Sequence, residues 1–115
     1  MNSDHLTPRV DGTLLQNFRN QTVRIVGRVD GLNDTQVTFY TPSYNADSTT
    51  IQLTYSPDLS FEKGYWYEII GRVSDELSVR AIDVNFFGDN INEKAIAGLV
   101  HFAHRAAPEL YLKEL

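Results

Sequence analysis

Apolar and polar residues alternate along five stretches of the chain, and a helical period replaces the alternation near its end. Thr22-Val23-Arg24-Ile25-Val26-Gly27-Arg28-Val29 puts Val23, Ile25 and Val29 on one side and Arg24 and Arg28 on the other. That is the two-residue period of a half-buried strand. Gly27 interrupts the run and predicts a bulge or sharp coil. After a turn at Gly31 to Asp34, Val37 and Phe39 point inward, with Gln36, Thr38 and Tyr40 outward. Pro42 and Asn45 mark Thr41 to Asp47 as a loop. Ile51, Leu53 and Tyr55 then alternate with Thr50, Gln52 and Thr54. A fourth strand near Tyr65 to Ser74 turns Tyr67, Ile69 and Val73 inward, and Leu59 and Phe61 before it tether their loop to the core. The fifth, Leu77 to Phe87, shifts parity from Val79 to Ile82, Val84 and Phe86, as a bulge requires.

The connections fit these strands. Ile69-Ile70-Gly71-Arg72-Val73-Ser74 nearly repeats Ile25-Val26-Gly27-Arg28-Val29-Asp30, which suggests two similar corners of one closed sheet. Asp11-Gly12-Thr13 before Leu14, Leu15 and Phe18 predicts a helical turn that plugs one end. Asp75-Glu76 forms an acidic hairpin tip. Five short strands, two glycine corners and one helix are too few for a sandwich and suit an all-β, five-stranded barrel of the OB type with a C-terminal helix. The whole chain, 1–115, reads as one domain, with the barrel at about 20–88 and the helix at about 90–108.

That helix, capped by Asn92 or by Asn90 with Glu93, carries the widest apolar surface. At about 100° per residue, Phe102, Ala95, Ala106, Leu99, Leu110, Ala103, Ile96, Ala107 and Val100 fall within an arc of roughly 160°. A surface helix resting on one core needs about 100°. Lys94, His101, His104, Arg105 and Glu93 share the rest. Either the helix fits deeply into its own fold or one side serves a partner. On the second reading the interface residues are Ile96, Leu99, Val100, Phe102, Ala103, Ala106, Ala107 and Leu110.

Charge limits what the barrel can grip. The net charge is −5, distributed unevenly. Residues 1–30 carry four Arg against three Asp, while residues 31–91 carry three basic against nine acidic side chains. A domain that holds phosphate backbones unaided is normally basic on at least one face. OB barrels bind single strands on the face of their second and third strands, using aromatic rings in a basic groove. Here that face reads Gln36, Thr38, Tyr40, Thr50, Gln52 and Thr54, one aromatic and no base. Tyr44 in the adjacent loop adds a ring. Arg28 and Arg72, with Arg24, offer a possible basic strip, or a solvated face balanced by Glu68 and Asp30. Tyr40, Tyr44, Arg28 and Arg72 are therefore the candidate single-strand contacts.

Other chemistry finds little support. There are no cysteines, which excludes disulfides, thiolate metal sites and cysteine nucleophiles. His101 and His104 are three apart on the helix without a further ligand pattern, so neither metal nor cofactor is expected. No carboxylate pair and no phosphate-cradling glycine loop is present, and catalysis is not expected.

Over nearly its whole length the chain resembles the smallest subunit of replication protein A, the eukaryotic heterotrimeric single-stranded DNA-binding complex. The resemblance rests on Pro8-Arg9-Val10, Leu14-Leu15-x-x-Phe18, Val23-x-x-Val26-Gly27-Arg28-Val29, Glu68-Ile69-Ile70-Gly71-Arg72-Val73, Phe86 and Gly88, and the closing helix. Tyr65-Trp66-Tyr67-Glu68 is similar to fungal members. The resemblance implies an OB barrel whose C-terminal helix joins one helix each from the middle and large subunits in a three-helix bundle. It also implies a nuclear role in replication, repair and recombination, with most DNA contacts made by the other two subunits. The Tyr40 to Thr50 loop with Tyr44 departs from the pattern, so no loop contact carries over. An autonomous single-strand-binding OB domain and the small OB subunit of a related telomere-capping complex are the alternatives.

Overall fold

The structure, a computed structural model, describes residues 7–43 and 47–106, with side chains as far as His101. A two-residue strand β1 (Arg9–Val10) leads into a 3₁₀ turn at Gly12–Asn17. Strands β2 (Thr22–Leu32), β3 (Gln36–Thr41), β4 (Thr49–Thr54), β5 (Trp66–Val73) and β6 (Val79–Gly88) follow, and helix α1 (Glu93–Ala106) comes last. Successive neighbours in the sheet are β1, β2, β3, β4, β6 and β5, and β5 pairs again with β2, so the five long strands form a ring. The parallel β4–β6 contact at Leu53–Val79 and Thr54–Arg80 completes it. This is the expected OB-type ring. β1, expected only as extended chain, adds a sixth strand at the edge of β2, with Val10 beside Ile25.

β2 can serve two neighbours because it is long and bends. Its first half, from Thr22 to Arg28, pairs with β5, and its second half, from Arg28 to Leu32, pairs with β3. A Cβ at Gly27 would lie 2.5 Å from the Tyr40 carbonyl oxygen and 2.6 Å from the Phe39 ring, so only glycine permits this crossing. Gly71 is as confined, against Val79 and the Arg80 carbonyl. The expected bulge is displaced: the register shifts between Val29 and Gly31, and Gly27 itself stays paired with Tyr67.

The core lies inside the ring. Val23, Ile25, Val29, Val37, Phe39, Leu53, Ile69, Val73 and Val79 are fully enclosed, as the alternation predicts. Leu15 from the 3₁₀ turn joins them. The Thr41 hydroxyl accepts the Gly12 N–H at 3.0 Å and sits 2.9 Å from the Thr49 hydroxyl, so the turn is bonded to the β3–β4 rim it plugs. β6 corrects one expectation. Ala81, not Ile82, faces inward, because the shift opposite Ile70 and Gly71 leaves Ile82 as the extra residue, 57% exposed. Val84 and Phe86 do return to the core side, Val84 half-buried and Phe86 61% exposed, where it packs beside Tyr67.

Candidate partner and nucleic-acid interfaces

Helix α1 begins where Asn92 can cap it. The Asn92 Oδ1 accepts the Ala95 N–H at 3.1 Å, and the Asn92 carbonyl accepts the Ile96 N–H. Ala97, Gly98 and Val100 are buried, Ile96 and His101 are half-buried, and Ala95 and Leu99 are exposed. Val26 and Trp66 are buried although they lie on the outer side of β2 and β5 and outside the barrel core. Ala97 and Val100 are buried as well, where α1 lies against β1.

The apolar arc of the helix is therefore divided. Val100, expected at a partner interface, is 3% exposed and packs on its own chain. Ala97, which the wheel left outside the arc, joins it. Small residues suit this side because they let the helix backbone come close to the surface it packs on. Leu99, 51% exposed, faces away from the barrel beside Ala95. Among the other interface candidates, the side chains of Phe102, Ala103 and Ala106 and the whole of Ala107 and Leu110 lie outside the described residues.

A polar cluster fixes the start of α1. The Tyr40 hydroxyl donates to Glu93 Oε1 at 2.7 Å. The Arg28 guanidinium lies 4.4 Å from the centre of the Tyr40 ring and 5.7 Å from that of Trp66, within cation–π range. Trp66 meets Tyr40 edge-on at 6.1 Å. Asp30 holds the guanidinium at 2.7 Å. This hydrogen-bonded carboxylate is the main reason the Arg28 pKa is raised, and the charges of Asp30 and Glu93 and the Tyr40 hydroxyl add to it, while partial burial opposes it. Two of the candidate single-strand contacts, Tyr40 and Arg28, are thus engaged inside the chain.

Arg72 does not join them. Arg28 pairs with Trp66 and Thr22 with Arg72, so the two arginines stand at opposite ends of the β2–β5 ladder, about 20 Å apart at ~3.4 Å per residue. Arg24 lies between them on β2, beside Arg9 of β1. Glu68 is taken by Arg9 at 3.2 Å, and Arg72 sits opposite Arg80. Tyr44 lies outside the described residues. On the β3–β4 face Gln36 pairs with Thr54, Thr38 with Gln52 and Tyr40 with Thr50. Next to that face a hollow of about 310 Å³ is lined by Thr50, Gln52, Glu76 and Ser78, with no basic side chain. The Asp75–Glu76 tip is held in place by Asn20, whose amide donates to Asp75 at 2.8 Å. No group of three residues placed to hold a metal is found among the described residues.

A family model for replication factor A protein 3 matches residues 1–111. The chain belongs to that family. Replication factor A protein 3 from Schizosaccharomyces pombe is 28% identical over 99 residues, covering 86% of this chain and 89% of that protein. Among solved structures, U. maydis replication protein A bound to single-stranded DNA superposes with a TM-score of 0.81 at 25% identity, over 91% of this chain and 94% of that one. The telomere-capping protein Ten1 from S. pombe gives a TM-score of 0.67 at 16% identity, over 86% and 98%, which carries the fold alone.

Within this family fold, two functional features have no local signal in the sequence. Glu93 acts as a receptor for Tyr40, 53 positions away, although its own neighbourhood suggests only a helix cap. Trp66 is buried on the outer side of β5, beside Tyr40 and Arg28. Only the burial of an outward-facing position on the fourth long strand identifies it.

Proposed function

We propose that this chain is the smallest subunit of a nuclear, heterotrimeric replication protein A, acting in replication, repair and recombination. It assembles through α1 with one helix each from the middle and large subunits. Barrel and helix work as one domain in a structural rather than catalytic role. The observation that carries the reading is the division of α1: one side is closed on the barrel through Ala97, Gly98 and Val100, and Leu99 is left outward. By helical register Ile96, Phe102, Ala103 and Ala106 lie at i−3, i+3, i+4 and i+7 from Leu99, a continuous apolar line on one face. Burying each large side chain of such a line at a partner would contribute about 1.5–3 kcal/mol.

The barrel contributes little to DNA affinity on this reading. Its ring and guanidinium, Tyr40 and Arg28, already hold the helix and Asp30. The face beside them is polar, with an acidic tip. The family membership supports this assignment over the telomere-capping one, for which the likeness extends only to the fold.

Co-expression with the middle and large subunits tests the proposal, with the mass of the complex read by light scattering. The wild-type chain should give a 1:1:1 complex. Leu99→Asp should remove this chain from it and leave its own far-UV spectrum unchanged. Ile82→Asp, an equally exposed change on the barrel, should assemble normally. Normal assembly of Leu99→Asp would overturn the proposed role of the helix.

A further inference from the structure

The connection between β4 and β5 folds over one end of the β5–β6 ladder and leaves an open groove of about 760 Å³. Asp58, Leu59, Glu62, Tyr67, Val84 and Phe86 line it. Its floor is well fixed. The Tyr67 hydroxyl accepts the Glu62 N–H at 2.7 Å, and Tyr67 meets Phe61 edge-on at 5.1 Å. Phe86 is supported by Tyr65 and Tyr67, each with its ring centre 5.5 Å away, yet it is the most exposed of the large apolar residues described. Asp58 and Glu62 are exposed, and neither forms an ion pair among the described residues. Ser56 donates a hydrogen bond to Asp58, which with a backbone hydrogen bond and the charge of Arg80 holds this carboxyl below its ordinary pKa against a small opposing effect of burial.

We propose that this groove binds an arginine-bearing apolar peptide segment of a partner protein, its guanidinium stacked on Phe86 and paired with Asp58 or Glu62. The chain shows the same chemistry satisfied from within at Arg28, whose guanidinium lies over Tyr40 and Trp66 while Asp30 holds it at 2.7 Å. In the groove the rings and carboxylates are present, Arg80 acts on Asp58 only through its charge, and no guanidinium forms an ion pair with either carboxylate among the described residues. A planar cation can use both, because it stacks and donates in a fork at once. Leu59 and Val84 offer apolar contact to the arginine stem and an adjacent aliphatic residue. Two carboxylates at the rim repel a phosphate backbone, which disfavours nucleic acid here. The surface is separate from the outward side of α1, and the inference does not depend on the proposed assembly.

Fluorescence anisotropy with the full chain tests it. The probe is a fluorescein-labelled decapeptide with a central Arg-Leu-Arg in Gly and Ser, compared with Lys-Leu-Lys and Glu-Leu-Glu versions. The arginine peptide should bind saturably and more weakly as salt rises, the lysine version several-fold more weakly, and the glutamate version not at all. Phe86→Ala and the Asp58→Asn, Glu62→Gln pair should each lower affinity at least tenfold with an unchanged far-UV spectrum, and Leu99→Asp should change nothing. The proposal is overturned by arginine-peptide binding that survives both sets of variants, or by no saturation below millimolar peptide. It is also overturned if Phe86→Ala instead abolishes self-association or oligonucleotide binding, which would give the groove to a second copy or to nucleic acid.

Discussion

Replacing Tyr40 with phenylalanine separates the two uses open to this side chain, because base stacking needs the ring and the hold on α1 needs the hydroxyl. In Tyr40→Phe the ring remains under Arg28 and beside Trp66, and only the 2.7 Å bond to Glu93 is lost. A hydrogen bond to a charged group contributes about 1.5–3 kcal/mol. Both partners are only half-buried here, so water replaces part of the loss and about 1 kcal/mol is expected. For a domain of this size that lowers Tm by about 4 °C. Glu93→Gln should cost a similar amount, and the double variant little more than either single one, giving a coupling of about 1 kcal/mol in the cycle. Amide exchange should locate the effect in the first turns of α1, with the centre of β2 unchanged. Additive losses in the cycle, or unchanged protection in α1, would refute the idea that Tyr40 holds the helix. Any residual oligonucleotide binding should be the same in Tyr40→Phe as in the wild type.

Further substitutions test the barrel and its faces. Gly27→Ala pushes a methyl into the Tyr40 carbonyl and the Phe39 ring and should cost about 1–3 kcal/mol in urea unfolding, whereas Gly31→Ala, whose nearest neighbour would be 3.3 Å away, should cost less. Thr41→Val leaves the Gly12 N–H without its acceptor and should lose about 1–3 kcal/mol. Burial pushes the Tyr67 phenol above its ordinary 10.0. Its neutral form therefore adds stability that is full below the unfolded pKa and is lost as pH rises toward the raised value. Spectrophotometric titration at alkaline pH should show a late step that Tyr67→Phe removes. Oligonucleotide binding by the isolated chain should be weak at low salt and vanish with a shallow slope of log affinity against log salt, and a steep slope would show phosphate contacts that the polar β3–β4 face does not provide.

Strands were legible wherever side-chain period alone decides burial. Val23, Ile25, Val37, Phe39, Ile51, Leu53, Ile69 and Val73 all face inward as read, because in a closed sheet each strand has one inner face and apolar residues take it. Ile82 was misread for a non-local reason. Which residue of a bulge is the extra one depends on how β5 aligns against β6 at Ile70 and Gly71, and no pattern within β6 reveals that alignment. Gly27 lies where β2 passes from β5 to β3, and of the bulge or sharp coil that its sequence offers, the bulge falls elsewhere, while close approach to β3 requires the glycine. Tyr40 and Arg28 have the residue types of a single-strand site, and only the fold shows that Glu93 and Asp30 already claim them.

The helix shows why its own periodicity was insufficient. A wheel ranks positions by hydrophobicity and so centres its arc on Leu99, Ala103 and Ile96. The barrel instead selects by shape. The side that docks, next to β1, is the one with Ala97, Gly98 and Val100. Detaching α1 would bare Val100, and a large apolar side chain returned to water costs about 1.5–3 kcal/mol, besides the loss of the Tyr40–Glu93 bond. The first turns of α1 are therefore ordered before any partner arrives, with Leu99 already directed away from the barrel. A segment ordered in advance avoids conformational entropy costs on association. If the proposed assembly through α1 holds, changes at Tyr40 or Glu93 should consequently weaken it without touching the outward face, and less than Leu99→Asp does.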